Sequence, residues 1–357
     1  MRNIGGTALI HSIGLWRPVL HRSRSDLPVV VAAWSLLVCA ITLVAAATLY
    51  GETVATGGLR QALLGAPPTD RAILVASTVL PGQLADTDAI VTDELDRTLV
   101  TVGGTIARVA RSGSFAPAGS DRADGTKLVE LASFEDIADH ATLIDGAWAT
   151  AGSDLGATLS EGAAVALGLE VGDTMDLTSR TGEAISTRVV VTGIWQPDRS
   201  DPYWLSAPLD LDGTVTTGRF TTRGPFVVDQ AALLALDPTR AAAMEWRALP
   251  DLGRLSTDGV SDLRERIDSL APRLGAAMTG AAPRVTTTLP ATLGQVERSI
   301  LVSHSGITLL TIQFAVLAGY AIVLVAGMLL ERRRSDLALM RSRGASTAHL
   351  ALMALTE

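Results

Sequence analysis

The sequence has few of the residues from which catalytic centres and disulfide scaffolds are built. Cys39 is the only cysteine among 357 residues, so the chain forms no internal disulfide. Neither the phosphate-binding pattern G-x-x-x-x-G-K-[ST] nor the hydrolase pattern G-x-S-x-G occurs, which excludes ATP hydrolysis by a P-loop of its own. The five histidines show no metal-ligand spacing. We therefore expect a chain that is not an enzyme and that holds no cofactor or metal itself.

Charged residues are also scarce, because they make up 18% of the chain where a soluble domain has about a quarter. Two stretches, Leu27–Gly51 and Ser299–Leu330, contain no Asp, Glu, Lys or Arg at all. A bilayer core requires about 20 apolar residues in a helix, and both stretches are longer than that. The sequence therefore predicts two transmembrane helices, at 27–50 and at 299–330.

The second apolar stretch is longer than a membrane requires. A helix of this length spans roughly 48 Å, against a hydrocarbon core of about 30 Å. Its first residues, Ser299–Gly306, form its more polar end. We expect these residues to project from the outer face as a short stalk, with the membrane entered near Ile307.

A signal peptide is the alternative interpretation of the first apolar stretch. Arginines precede it, and small residues near its end would suit a cleavage site. The stretch exceeds the usual apolar length of about 7–15 residues, however, and 26 residues precede it. These features favour a transmembrane helix over a cleaved signal.

The distribution of positive charge predicts the orientation in the membrane. Residues 1–26 carry four arginines and one acid, and residues 331–357 carry five arginines and three acids. Because the whole chain has a net charge of −8, the intervening residues 51–298 are strongly acidic. The positive-inside rule then places both termini in the cytoplasm and residues 51–298 outside the plasma membrane. Such an acidic segment also excludes nucleic acid as a partner.

Residues 51–298 alternate between short strand-like and helix-like patterns, which predicts a large α+β domain. The segments 71–150 and 151–225 are candidates for separate lobes, with 226–290 returning to the first. We expect Ser133 to cap a helix that follows it. A last helix is expected to begin near Ala291 and to continue into the second apolar stretch without a break.

The segment Pro208–Gly213 resembles a calcium loop superficially, because Asp210 and Asp212 precede a glycine. Alignment with an EF-hand places Pro208 and Arg219 where the first and last ligands belong, and neither supplies a carboxylate. The pattern therefore favours a solvated turn. We likewise expect no catalytic role for the loop that contains Asp201.

Three stretches carry a resemblance to a known family. They are ERRRSDLALMRSRGASTAHL from Glu331, LSEGAAVALGLEVGDTMDLTS with the following VVVTGIWQP, and the shorter DGAWATAG and MEWRALPD. In this order and topology, the chain resembles the N-terminal portion of the FtsX-like/MacB-like permeases of ABC transporters, in their actinobacterial form. The resemblance implies a membrane protein in which two transmembrane α-helices flank a large extracytoplasmic α+β domain of the MacB-like periplasmic core type.

The resemblance further implies a coupling helix at about Ser335–Ala348 that docks on a separate ABC ATPase subunit. ATP would then be bound by that subunit, and the output would be export or extraction of a lipid, lipoprotein, peptide or drug, or regulation of a cell-wall enzyme. Leu337, Met340 and Gly344 fall on one helical side, which suits docking in a groove. Arg341 is expected to meet acidic residues of the ATPase or lipid headgroups.

Arg332, Arg333 and Arg334 have two interpretations that the sequence leaves open. They are either contacts to lipid headgroups and acidic partner residues, or anchors of the positive-inside kind alone. Because members of this family have four or more spans, the resemblance implies one of two arrangements. The sequence is either a fragment of a longer permease or an isolated half that pairs with another chain, and a second permease copy or half is the expected partner.

A two-span sensor, whose signalling module would follow the second span, is the alternative function. The native sequence beyond Glu357 distinguishes the two hypotheses. A permease predicts a further run of about 20 apolar residues there. Heptad repeats or a kinase domain in that place would instead identify a sensor, and reading the downstream sequence is the measurement.

Overall fold

The computed structural model describes residues 65–118, 127–152, 155–180, 185–278 and 283–342, together with isolated positions between 31 and 63. For residues 332–342 it describes the backbone alone. The chain divides into two units, one comprising residues 56–299 and the other comprising residues 1–55 and 300–357. We call residues 56–299 the central domain. More than half of the predicted span at 27–50 lies outside the described residues, and its described positions between 31 and 46 are helical.

The central domain contains an open, mainly antiparallel sheet in the order β12-β1-β11-β2-β4. Two helices, α2 and α7, contact each other along this sheet, and each carries an apolar stripe, as amphipathic helices packed on a core do. The elements of this half are α1 (Pro68–Arg71), β1 (Ile73–Val79), α2 (Leu84–Leu99), β2 (Gly104–Arg111), β4 (Lys127–Phe134), β11 (Ala242–Pro250), α7 (Gly259–Ala277) and β12 (Arg284–Thr286).

The other half is a closed ring of six strands in the order β4-β3-β7-β8-β6-β10, with β10 pairing back to β4. A ring this small has its interior filled by side chains, and the fully buried residues of its strands include Leu131, Leu159, Leu177, Val189 and Phe226. The new elements are β3 (Phe115–Pro117), α3 (Ile137–His140), β5 (Ala141–Gly146), β6 (Leu155–Ser160), α4 (Glu161–Leu167), β7 (Thr174–Ser179), β8 (Ser186–Pro197), α5 (Pro208–Asp212), β9 (Thr214–Thr217), β10 (Phe220–Val227) and α6 (Gln230–Ala235).

Chain order shows that the ring is an insertion into the open sheet. The chain builds β1, α2 and β2, makes the ring, and then returns as β11, α7 and β12. β4 belongs to both halves, because it pairs with β2 on one side and with β3 and β10 elsewhere. The predicted return of the chain to the first half is therefore present. The predicted division near residue 150 is wrong, because β3 and β4 lie within 71–150 and already belong to the ring.

A cluster of aromatic side chains fills the region where the two halves meet. The rings of Trp195 and Trp204 are stacked, with centroids 5.3 Å apart, and both are fully buried. Tyr203 and Phe134 pack on the edges of Trp204. The aromatic residues that the sequence concentrates near 195–204 thus fix the two halves against each other.

The prediction that Ser133 caps a helix is wrong. Ser133 lies inside β4, where it pairs with Ala110 of β2, and the helix that follows is the single turn α3. Asp136 precedes that turn in a left-handed conformation and makes no side-chain cap. Strand pairing with β2 therefore overrides the local preference of Ser133 for a cap.

A long helix, α8, begins at Leu289 and extends to Ser342. Within it, Ser305–Met328 is the one segment among the described residues that is long and apolar enough to cross a membrane. The predicted continuation of the helix into the second apolar stretch is confirmed at the level of the backbone.

Gly162 and Gly213 permit a close contact between α4 and the end of α5. Replacement of Gly213 tests this packing. A Cβ at Gly213 would lie 2.1 Å from the backbone nitrogen of Ala163, and Gly213 has a φ of 70°. Gly213→Ala should lower the free energy of unfolding by about 2–5 kcal/mol, from backbone strain and overpacking together. Chemical denaturation of the full chain in detergent measures this change.

Gly218→Ala is the matched control. Gly218 has a φ of 62°, but a Cβ added there would meet no atom within 4 Å, so the substitution should cost only the strain of about 1–2 kcal/mol. Equal losses in the two variants would contradict the close contact between α4 and α5.

Candidate functional site

The first turns of α8 are embedded in the central domain. Leu289, Leu293 and Val296 are buried, and their i, i+4, i+7 spacing forms one apolar stripe. Burying an aliphatic side chain of this size stabilises a fold by about 1.5–3 kcal/mol. Beyond Val296 most of the described large apolar side chains are exposed, and Leu301 and Val302 are examples. We call Leu289–Glu297 the helix root.

Polar contacts hold the helix root at both ends. The Thr287 hydroxyl accepts a hydrogen bond from the Leu289 amide and donates one to the carbonyl oxygen of Ala72 at 2.8 Å. Further along, Glu297 pairs with Arg264 of α7 at 3.2 Å. The beginning of α8 is thus fixed to the residue that precedes β1 and to α7.

The residues predicted for ATPase docking and for membrane anchoring fall at the other end of α8. The backbone is helical at Arg332, Arg333, Arg334, Leu337, Met340 and Arg341, and no break separates them from the apolar segment. Gly344 lies outside the described residues. The docking and anchoring roles of all seven residues remain predictions.

Asp210 is the centre of a buried ion network that joins the two halves of the central domain. Its carboxylate is fully buried and accepts two hydrogen bonds from Arg111 of β2, at 2.7 and 2.8 Å. Arg247 of β11 approaches the same carboxylate at 3.3 Å. Glu130 and Glu245 neutralise the two guanidinium groups further, at 2.6 and 2.5 Å. A carboxylate on the ring side is thereby clamped by two strands of the open sheet.

The electrostatics of this network favour the charged state. Burial alone lowers the pKa of Arg111, but the charges of Asp210 and Glu130 outweigh it and raise that pKa above its ordinary value. Both guanidinium groups also lie over the ring of Phe134, at 5.4 and 5.8 Å from its centroid. The Arg111 guanidinium is therefore held in its charged form, and its carboxylate partners surround it as a structural clamp requires.

The expectation of a solvated turn at Pro208–Gly213 is wrong. The segment forms the short helix α5, and Asp210 faces the network. Only Asp212 matches the expectation, because it is half exposed and pairs with the exposed Arg199 at 2.6 Å. The partners of Asp210 lie 99 and 37 positions away in the sequence, so no local pattern indicates them.

A second ionic cluster ties α2 to the sheet. Asp88 accepts hydrogen bonds from Arg108 and from the indole of Trp246, at 2.5 and 2.8 Å. Glu135 pairs with the same arginine at 2.6 Å. Although burial lowers the pKa of Arg108, the two carboxylates raise it above its ordinary value.

His140 and Asp201 form a pair that the sequence did not indicate. The His140 Nδ1 atom lies 2.7 Å from an Asp201 carboxylate oxygen, and its ring stacks on Tyr203 with centroids 3.9 Å apart. Tyr203 donates from its hydroxyl to the Glu135 carbonyl, and burial raises the pKa of its phenol well above the ordinary value. The Trp204 indole donates to the carbonyl of His140. These contacts order the 198–205 loop on the ring.

A small cavity of about 50 Å³ lies where α6 returns towards β11. Phe115, Ile185 and Leu233 provide apolar walls, and Arg240 pairs with Asp237 at its rim at 3.6 Å. Ligand pockets for drug-sized molecules have volumes of about 300–1,000 Å³. This cavity has room for water and not for a ligand of that size.

No family model and no curated protein matches the chain. Among solved structures, the chain is similar to a domain assigned to a permease protein from Porphyromonas gingivalis, at 14% identity and a TM-score of 0.27. The match covers 62% of this chain and 91% of that chain. The permease description belongs to that protein, and the function of this chain rests on its own residues.

Replacement of Asp210 tests the clamp between the two halves. Asp210→Asn removes the charge that two buried guanidinium groups share, so it should lower the free energy of unfolding by about 3–5 kcal/mol. Asp212→Asn, two residues later on the same helix, breaks an exposed pair and should cost no more than about 1 kcal/mol. Thermal and chemical unfolding of both full-length variants give the comparison. A similar loss of unfolding free energy in the Asp210→Asn and Asp212→Asn variants would show that Asp210 does not clamp the two halves together.

Proposed function

We propose that this chain is a membrane-spanning permease subunit of an ABC transporter. In this proposal a separate ATPase subunit hydrolyses ATP, and α8 couples that reaction to motion of the central domain on the outer side of the plasma membrane. The output is export or extraction of a lipid, lipoprotein, peptide or drug, or regulation of a cell-wall enzyme. The resemblance described from the sequence motivates this class.

The continuity of α8 is the observation that supports this proposal most strongly. The helix has 54 residues and a length of about 80 Å. It begins in the buried helix root, continues through the apolar segment Ser305–Met328, and extends into the basic segment at Arg332–Arg334. A single helix with these three parts is suited to carry displacement from one side of a membrane to the other.

The mechanism follows from the stiffness of a continuous helix. Movement of the ATPase displaces the docked segment around Leu337 and Met340, and an unbroken backbone carries that displacement along the helix axis. At the helix root, the apolar stripe and the Arg264–Glu297 pair transfer it to α7 and β1. The Asp210 network then keeps the ring and the open sheet moving as one body.

The proposal also assigns the contacts that the basic end of the chain makes with the membrane and with partner proteins. Arg332, Arg333 and Arg334 bind lipid headgroups on the cytoplasmic side, where anionic lipids attract basic segments. Arg341, together with Leu337, Met340 and Gly344, contacts the ATPase. Both termini are cytoplasmic, and a second permease copy or half supplies the remaining spans.

Binding of the ATPase tests the proposal directly. Leu337→Asp combined with Met340→Asp places two charges on the docking side, where desolvating them opposes association. Co-purification of an ABC ATPase with the full chain from detergent-solubilised membranes should fall at least tenfold.

The matched control is Ser335→Asp combined with Ser342→Asp, which adds the same charge at positions off that side by helical spacing. This control should retain the ATPase. If the variant at Leu337 and Met340 co-purified with the ATPase as the unaltered chain does, the proposal that this segment docks on the ATPase would be contradicted. Capture of a histidine kinase in place of an ATPase would favour the sensor alternative.

A further inference from the structure

Two buried polar atoms on adjacent strands have no hydrogen-bond partner among the described residues. They are the Nε atom of Arg223 on β10 and the hydroxyl oxygen of Thr214 on β9. The two residues stand directly opposite each other in the antiparallel β9–β10 ladder. Because paired residues of neighbouring strands have their side chains on the same face, both atoms belong to one place in the fold.

The strand register places this pair where the apolar filling of the ring ends. On its other side Arg223 pairs with Val129 of β4, and after a bulge in β10, Phe226 pairs with Leu131. Phe226 and Leu131 are fully buried side chains of the ring. Side chains alternate along a strand, so Val129 and Leu131 share one face, and Arg223 lies on the same face as Val129.

The same face is polar and basic towards the β9–β10 turn. Thr216 and Thr221 pair with each other there, and their hydroxyl oxygens are 3.2 Å apart. Lys127 pairs with Thr221 across the β4–β10 ladder and is exposed. We call Lys127, Thr214, Thr216, Thr221 and Arg223 the Arg223 face. It presents cations and hydroxyl groups, and no aspartate or glutamate stands at its paired positions.

The cation of Arg223 lacks the counter-charge that comparable arginines have. Residues 51–298 are strongly acidic, and Arg108, Arg111 and Arg247 each lie against two carboxylates. Arg223 is also half-buried, yet no described carboxylate pairs with it. A partly desolvated charge is costly unless it is paired. The missing counter-charge therefore points to an anion that comes from outside the chain.

We propose that the Arg223 face binds a phosphate group. A guanidinium group donates from two N–H groups to two oxygens of one phosphate, and the unpartnered Nε of Arg223 supplies one of these donors. The Thr214 hydroxyl donates to a further oxygen, and Lys127 adds its charge. Phosphate suits these donors better than a carboxylate, because it has more acceptor oxygens and a larger negative charge.

The phosphate comes from one of two sources, a lipid headgroup or a phosphate free in solution. The donors of the Arg223 face serve both, because each presents the same oxygens. This inference goes beyond the proposed function, since the site requires neither an ATPase nor a membrane-spanning helix.

Calorimetric titration of the full chain in detergent with inorganic phosphate tests the site. Chloride keeps the ionic strength constant, so that general screening does not change during the titration. Arg223→Gln should lower the affinity for phosphate at least tenfold. Thr214→Val keeps the shape of the side chain but removes the hydroxyl, and it should lower the affinity three- to tenfold. Its unfolding temperature without phosphate should not fall, because the removed hydroxyl has no partner.

Arg219→Gln is the matched control. Arg219 carries the same charge in the same hairpin, but its guanidinium lies over the ring of Phe220, at 5.2 Å from the centroid, and outside the Arg223 face. This variant should bind phosphate within twofold of the unaltered chain. Equal losses of affinity in Arg219→Gln and Arg223→Gln would show a general attraction of anions to the hairpin and would overturn the site.

A short-chain phosphatidylglycerol in the same detergent distinguishes the two sources. Binding of this lipid that is lost in Arg223→Gln identifies a headgroup, whereas phosphate binding that the lipid does not displace identifies a free phosphate. Either result supports the site, and failure of both probes to bind at millimolar concentration overturns it. Failure of the proposed function is separately visible, because a chain that binds phosphate but captures no ATPase would contradict the transporter alone.

Discussion

The buried carboxylate of Asp210 is the interaction on which the central domain depends. In chain order the ring of six strands is inserted between β2 and β11. Apart from the shared strand β4, side-chain contacts determine how the ring lies against the open sheet. Arg111 and Arg247 come from those two strands and clamp a single carboxylate on α5. Burying charges is costly unless each is paired. The cost of separating them opposes hinge movement between the two halves.

The helix root extends this rigidity into α8. Its apolar stripe is buried in the core, and its hydrogen bonds and ion pair connect it to β1 and α7. After Val296 no described residue of the helix is fully buried, while the helix continues through the apolar segment to the basic one. A signalling protein needs the same connection as a transporter, so the helix root is compatible with both of the proposed functions. The proposed ATPase contact makes that distinction.

Several elements were predictable because their patterns are local. The strand 155–160 with its capping Ser160, the hairpin strands β7 and β8, and the continuation of the last helix into the apolar stretch all follow from periodicity and caps. Ser133 and Asp210 were mispredicted for the opposite reason. Their environments are created by strand β2 and by two arginines, whose approach depends on pairings far apart in the sequence.

The sequence by itself determined which segments are apolar and which are basic. It also determined that the chain contains no P-loop motif. These are properties of composition and of residues that are close together in the sequence. Only the tertiary structure decided that α8 begins inside a folded core and that Asp210 is a buried ionic centre. These features depend on which distant residues come together, and burial and charge pairing are created only when they do.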